Sequence, residues 1–128
     1  MSCAASVLTL SAPSSAQTAP ATAYRPSHDY VRCLAQDESH VHMTSCLEAE
    51  QRSVDAALDA TWRATMARLP RSRGLVLRGE ERRWISRREA DCAAEEQAMA
   101  GGNGGWDARL SCLIHYANAR IADLRKVR

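Results

Sequence analysis

The spacing of apolar side chains indicates helices from residue 24 onward. One stripe with helical spacing predicts a first long helix over residues 45–69, ending before Pro70. Ser45 and Glu48 have the spacing of a capping box, in which hydroxyl and carboxylate bond to the free backbone amides at the start of a helix. The stripe of this helix must be buried, and it consists of Leu47, Val54, Leu58, Trp62, Thr65 and Leu69.

Two more long helices and one short helix complete the pattern. After a turn at residues 70–74, a second long helix is predicted to run to about residue 100, and a third over residues 106–126. A short helix over residues 27–36 starts at Ser27, a good N-cap. The second long helix carries Arg88 among Leu77, Trp84, Ile85, Cys92 and Met99, and the third carries Trp106, Leu110, Leu113, Ala117, Ile121 and Leu124.

Short connections make neighbouring helices antiparallel, so the predicted fold is all-α, a small antiparallel bundle of three long helices plus a short N-terminal helix. The 128 residues suffice for one modest domain, which we assign to residues 24–128. Residues 3–10 are apolar, and small residues and prolines follow them. We therefore predict residues 1–23 to be a signal peptide remnant or a disordered tail. The apolar run is too short to span a bilayer, so no transmembrane segment is predicted.

Composition and charge narrow the function classes. The chain has no phenylalanine and a net charge of only +2, and Lys126 is its only lysine. With so small an excess of positive charge, we predict no nucleic-acid partner. Neither a Ser/His/Asp order nor a phosphate loop is visible, and adjacent glutamates on a helix diverge too far to act as an acid and base pair. We expect a protein that is not an enzyme and needs no cofactor.

Four cysteines fall into two couples, each nearly symmetric about a loop-like stretch. Folding back at the glycine-rich residues 101–105 brings Cys92 to Cys112, and the same symmetry favours Cys33 with Cys46. Sequence alone leaves the other two connectivities open. Cysteines in a small chain predict disulfides if the protein is exported, and metal or catalytic thiols if it is cytosolic. Because the N-terminal segment resembles the end of a secretory signal, we predict a periplasmic or secreted protein stapled by two bridges. On an ideal helical wheel Cys112 lies away from the apolar stripe, which predicts that its bridge sits at the rim of the bundle.

A metal site would need the same cysteines as free thiolates. The chain has no Cys-x-x-Cys spacing, and His40 and His42 point to opposite sides if that segment is extended. We therefore predict no metal site. The histidines are expected to be exposed polar residues near helix ends.

Arg88 sits in the middle of an apolar face and needs a partner, because an isolated buried guanidinium is costly. Folding the first two long helices about residues 70–74 places Asp55 opposite Arg88. We predict an ion pair between them that fixes the register of the two helices. Trp62 and Trp84 are predicted to be structural aromatic residues of the core.

Two segments carry a family resemblance. Residues 46–62 look like a motif of bacterial envelope proteins with a Cys, an Ala-Asp, a Leu-Asn and an aromatic residue, and residues 81–92 resemble the signature Gln-Arg-x-Trp-(Ile/Leu)-x-x-Arg-Asp-x-x-Cys. Gly101, Gly102, Cys112 and Arg120 follow in the expected order. Over about residues 30–124 the chain resembles domains similar to the N-terminal part of the LprI lysozyme inhibitor. The departures are mild: Val54, Asp59, Trp62, Glu81 and Glu89.

This resemblance implies an exported, disulfide-stapled helical domain that, in some members, inhibits lysozyme; it supplies no catalytic residues. We expect a non-enzymatic protein-binding domain whose partner is a lysozyme or another envelope protein. The alternative is a structural or stress-related periplasmic domain with no lysozyme partner. Animal-type lysozymes are cationic, so an inhibitor gains from an acidic face. The acidic residues that gather locally are Asp37, Glu38, Glu48, Glu50, Asp55 and Asp59, and residues 101–105 are either an interhelical turn or a loop that enters a cleft.

Overall fold

The computed structural model describes residues 24–99 and 104–128. This part of the chain forms four helices: α1 (His28–Leu34), α2 (His40–Arg68), α3 (Arg71–Ala98) and α4 (Gly104–Lys126). The prediction of an all-α fold with three long helices and a short N-terminal one is confirmed. The predicted signal remnant or tail at residues 1–23 lies outside the described residues, as do residues 100–103 of the glycine-rich stretch.

The start of α2 was predicted wrongly. The helix begins at His40, because Ser39 has an extended backbone and its hydroxyl accepts a hydrogen bond from the His42 amide at 3.4 Å. No residue between Ser39 and Ser45 breaks a helix. Ser39 therefore sets the N-terminus of α2, and Ser45 lies inside the helix. The cap of α1 is confirmed, since the Ser27 hydroxyl accepts from the Tyr30 amide at 3.1 Å.

The predicted five-residue turn at 70–74 is also wrong. Helix α3 begins at Arg71, directly after Pro70, whose missing amide hydrogen costs nothing at the start of a helix. Gly74 is buried inside α3, and a Cβ atom there would lie 3.1 Å from the Met66 side chain. Gly74 thus allows the last turn of α2 and the first turn of α3 to approach closely.

Helix α4 is the centre of the bundle. It packs against both α2 and α3, whereas the backbones of α2 and α3 make little direct contact. Trp62 is half-buried and packs against the buried core cluster, which contains Trp84. Of the predicted stripes, Ile85, Met99 and Trp106 are exposed instead. Because α3 faces mainly α4, it buries only the narrow row Gly74, Leu77, Trp84 and Cys92.

Both disulfide pairings are confirmed. Cys33 bonds to Cys46 with their Cα atoms 5.8 Å apart, and Cys92 bonds to Cys112 with their Cα atoms 5.4 Å apart. The first bridge ties α1 to α2, and the second ties α3 to α4. Cys92 is fully buried and Cys112 half-buried, so the second bridge lies deeper than the predicted rim position. None of the described helices is long and apolar enough to cross a membrane.

Candidate functional site

Arg88 links the three long helices. Its Nη2 atom lies 2.7 Å from Asp55 Oδ1 on α2, and the same nitrogen donates to the Leu113 carbonyl oxygen of α4 at 3.2 Å. The Arg88 side chain is 11% exposed and that of Asp55 37%. The structure therefore brings the predicted pair together, with the carboxylate still in contact with water. Arg88 Nε is buried without a hydrogen-bond partner among the described residues.

A second ion pair was missed by the sequence analysis. Arg120 on α4 donates from Nε and Nη2 to Glu81 Oε2 of α3, at 2.8 and 2.6 Å, and both side chains are largely buried. The ring of Trp84 lies beside both arginines, with guanidinium carbons 5.5 Å (Arg88) and 5.7 Å (Arg120) from its centroid. These are cation–π distances. The motif residues thus hold α3 against its neighbours, which is a structural role.

A shallow groove of about 290 Å³ separates α2 and α3 beside these pairs. Its charged residues already have partners, since Asp55 pairs with Arg88, and Asp59 lies 2.8 Å from Arg63. Its interior is apolar. The groove therefore offers few free charges to a ligand, and its lining residues are Asp55, Leu58, Asp59, Trp62, Glu81, Trp84, Ile85 and Arg88.

Glu50 fixes the N-terminal segment to α2. The buried carboxylate accepts hydrogen bonds from the Tyr24 hydroxyl, from the Ser27 hydroxyl at 2.6 Å and from the Ser27 amide at 3.0 Å. Burial raises the pKa of Glu50, but these hydrogen bonds outweigh it and leave the pKa below its usual value. Burial and the bond to Glu50 raise the pKa of Tyr24. Glu50 is thus occupied within the fold and is not free to bind a partner.

His42 covers the first disulfide. Its Nε2 atom lies 2.7 Å from the Cys33 carbonyl oxygen and 3.4 Å from Cys46 Sγ. In the described part of the chain, Cys33, His42 and Cys46 form the one cluster with metal-ligand spacing, with donor atoms within 4.8 Å of one another. The two sulfurs are bonded to each other, so they cannot act as thiolate ligands.

The bundle separates its charges along its length. We define the acidic end as residues 35–50, 90–99 and 104–112, where α2 and α4 begin and α3 ends. It contains eight carboxylates and one arginine. Residues 24–34, which pack against the start of α2, add Arg25, Asp29 and Arg32, so the net charge of this end is −6. Because α2 alone has 29 residues, this end lies about 40 Å from the opposite one. The charged residues of the acidic end are Asp37, Glu38, Glu48, Glu50, Asp91, Glu95, Glu96, Asp107 and Arg109.

We define the opposite, basic end as residues 60–80 and 118–128. It carries nine basic side chains against two carboxylates, a net charge of +7. Two of the nine, Arg63 and Arg120, pair with Asp59 and Glu81 just outside these ranges. The net charge of the whole chain is small because the negative charge of one end of the bundle and the positive charge of the other largely cancel. The charged residues of the basic end are Arg63, Arg68, Arg71, Arg73, Arg78, Arg120, Arg125, Lys126 and Arg128, with Glu80 and Asp123.

A cleft of about 510 Å³ opens at the acidic end, between the first turns of α2 and α4. Trp106, 44% exposed, donates its indole N–H to Glu48 Oε1 at 2.9 Å, and Val41 beside it is 80% exposed. Asp107 accepts from the Thr44 hydroxyl at 2.8 Å. An aromatic face flanked by carboxylates can hold lysine and arginine side chains of another protein. We call these seven residues the acidic cleft: His40, Val41, Thr44, Ser45, Glu48, Trp106 and Asp107.

The sequence profile described as Lysozyme inhibitor LprI matches residues 33–124, most of the chain. The chain belongs to the LprI lysozyme inhibitor family. The LprI match contains all four bonded cysteines, both buried ion pairs and the acidic cleft. No curated protein and no solved structure gives a significant match.

Proposed function

We propose that this chain is an exported, non-enzymatic domain that inhibits lysozyme by binding it through the acidic end. Membership of the LprI family supports a lysozyme-inhibitor-like function. The net charge of −6 at one end supports the choice of surface, because complementary charge speeds and orients association with a cationic enzyme. The net charge of +2 for the whole chain does not oppose this, because the basic side chains that offset the acidic end lie mainly at the opposite end and in the middle of the bundle.

The acidic cleft provides the contact chemistry that the proposal requires. Trp106 and Val41 form an exposed apolar centre, and Glu48 and Asp107 provide charge around it. Buried aromatic anchors with a polar rim are typical of residues that dominate the binding energy of protein interfaces. The hydrogen bonds within the cleft hold these side chains in place before binding, which lowers the entropy lost on association.

The mode of inhibition follows from charge. Lysozyme cleaves its substrate with two carboxylates, and acidic side chains inserted between them would be repelled. We infer that the domain instead docks on the cationic surface beside the catalytic cleft and blocks the approach of the cell-wall polymer. Such binding should weaken as ionic strength rises.

The test is a cell-wall turbidity assay with animal-type lysozyme and increasing amounts of the protein. We expect protection of the cell walls, and Trp106→Ala should raise the concentration for half-protection at least about tenfold, as loss of an interface anchor does. The matched control is Ile85→Ala, which also truncates an exposed apolar side chain but outside the acidic cleft. Circular dichroism should show both variants to be folded.

Two results would contradict the proposal in different ways. Absence of protection at large molar excess against several types of lysozyme would exclude inhibition. Equal protection by wild type and Trp106→Ala would exclude the acidic cleft as the contact surface. A stable partner other than lysozyme, recovered from envelope extracts, would favour the alternative of a periplasmic domain with a different role.

A further inference from the structure

The basic end exposes two neighbouring aliphatic side chains. Leu75 is 61% exposed and Val76 55%, and both lie on the first turns of α3. The core does not use them, because α3 buries the opposite side of the helix through Gly74 and Leu77. More than half of each side chain therefore remains in contact with water in the isolated domain.

Basic side chains surround this pair. Arg71 and Arg78 line the same depression as Leu75. Arg73, Lys126 and Arg128 line the depression that contains Val76, together with one carboxylate, Glu80. One turn further along α3, a Cβ atom on Gly79 would lie 3.8 Å from guanidinium nitrogens of both Arg82 and Arg83. We call this surface the basic apolar patch: Arg71, Arg73, Leu75, Val76, Arg78, Arg82, Arg83, Lys126 and Arg128.

Most of these cations have no role in the fold. Among the described residues, none of the five arginines from Arg71 to Arg83 in the patch pairs with an aspartate or glutamate side chain. Arg73 donates to the main-chain oxygen of Arg128 at 3.4 Å, and Lys126 meets only the exposed Asp123 at 3.6 Å. Arg68, by contrast, caps the end of α4 by donating to the carbonyls of Leu124 and Val127, each at 3.1 Å. Uncompensated like charges repel one another, so this concentration destabilises the isolated domain.

We propose that the basic apolar patch docks the domain on the surface of an anionic phospholipid bilayer. Leu75 and Val76 would enter the headgroup region while the arginines bind lipid phosphates, with which a guanidinium makes paired hydrogen bonds. A cluster of cations is attracted to an anionic leaflet. The exposed aliphatic pair favours a bilayer over a nucleic acid or an anionic polysaccharide, which offer it no apolar phase. This docking does not depend on lysozyme binding and goes beyond the proposed function.

The position of the patch sets the orientation of the bound molecule. The patch lies at the basic end, about 40 Å along the bundle from the acidic end. An anionic surface attracts the first end and repels the second, so the acidic cleft faces away from the lipid. A membrane-bound molecule would thus keep its proposed lysozyme-binding surface in solution.

The test is co-sedimentation of the full chain with phosphatidylcholine vesicles that contain or lack phosphatidylglycerol. We expect binding only to the anionic vesicles, weakened by added salt because the contact is largely electrostatic. Arg71→Gln with Arg78→Gln should lower the partition coefficient at least about tenfold. The matched control, Arg52→Gln with Arg87→Gln, removes the same charge from exposed positions outside the patch and should have a much smaller effect.

A second pair of variants tests the apolar contact. Leu75→Ser with Val76→Ser leaves the charge unchanged and should lower vesicle binding at least about threefold. Failure to bind anionic vesicles at low salt would overturn the proposal, as would equal binding by the Arg71/Arg78 variant and its control. Unchanged binding by the Leu75/Val76 variant, with complete competition by heparin, would identify a polyanion site instead. Lysozyme inhibition measured on the same variants separates failure of this proposal from failure of the proposed function.

Discussion

Replacing Arg88 by methionine should lower the thermal unfolding midpoint substantially. The substitution keeps an unbranched apolar stem of similar length but removes the guanidinium group. Three interactions disappear: the ion pair with Asp55 at 2.7 Å, the hydrogen bond to the Leu113 carbonyl at 3.2 Å and the cation–π contact with Trp84. The first two join α3 to α2 and α4, and the third holds the Trp84 ring in place on the buried side of α3.

The expected loss of stability can be worked out from the exposure of the partners. Because Asp55 is 37% exposed, its carboxylate regains water after the change, and the pair contributes about 1 kcal/mol instead of the several expected in a closed interior. The hydrogen bond and the cation–π contact each add about 1 kcal/mol. Removing the buried, unpaired Nε of Arg88 and burying a methionine offset part of this sum. A net loss of about 2 kcal/mol should lower the midpoint of a domain this size by about 10 °C.

The assay is thermal unfolding followed by far-ultraviolet circular dichroism without reductant, supported by urea denaturation to give the free energy of unfolding. Arg87→Met is the matched control, since its side chain is exposed on the same helix. A double-mutant cycle with Asp55→Asn should give a coupling energy of about 1 kcal/mol for the pair alone. An unchanged midpoint for Arg88→Met would refute the stabilising role of Arg88. A coupling energy near zero would show that packing alone fixes the register.

Three further predictions address other parts of the bundle. Replacing both Cys92 and Cys112 by serine should lower the free energy of unfolding in urea by about 3 kcal/mol, and an unchanged value would contradict the constraint we assign to that bridge. The lowered pKa of Glu50 stabilises the fold at pH values above its unfolded pKa, and this contribution is lost as the pH falls through the folded pKa. Urea denaturation at several pH values should therefore show that Glu50→Gln lowers the free energy of unfolding by about 1–2 kcal/mol at neutral pH and by almost nothing in acid. A loss of stability that does not change with pH would count against the assigned role of Glu50. Gly105→Ala would place a Cβ atom 3.0 Å from a backbone oxygen of α3 and should lower the thermal unfolding midpoint. Gly104→Ala is the control, because its Cβ atom would meet only a flexible methionine side chain and should leave the midpoint unchanged. Equal midpoints for the two variants would show that Gly105 is not needed for the close approach of α4 to α3.

The features that the sequence predicted are those set by local pattern and symmetry. The buried stripe of α4 appeared as predicted from Leu110 to Leu124, because a central helix shows its burial in helical spacing. The cysteine pairing followed from the near-symmetric spacing of each couple about its connection. Asp55 and Arg88 were expected to meet because a charged residue on an apolar face requires a partner, and the structure places them 2.7 Å apart.

The sequence-based predictions were wrong where two residues could each cap the same helix, and where a neighbouring helix ends before it covers a predicted core residue. Ser39 and Ser45 both precede plausible helix starts, and only the structure shows that the first one acts as the cap. Trp106 lies on the extension of the α4 stripe, but α3 ends at Ala98 and leaves the indole ring partly uncovered. The acidic cleft joins residues near position 45 to residues near position 106, which a reading of each helix separately does not bring together.

The central position of α4 also has a consequence for biosynthesis. Helix α4 is synthesised after α2 and α3 and covers the apolar faces of both, which make little backbone contact with each other. A nascent chain that ends before α4 therefore has no complete core, and folding of the bundle must wait for this helix. If the domain is exported, as proposed above, this delay would keep the chain unfolded and able to pass through a translocation channel until α4 has crossed.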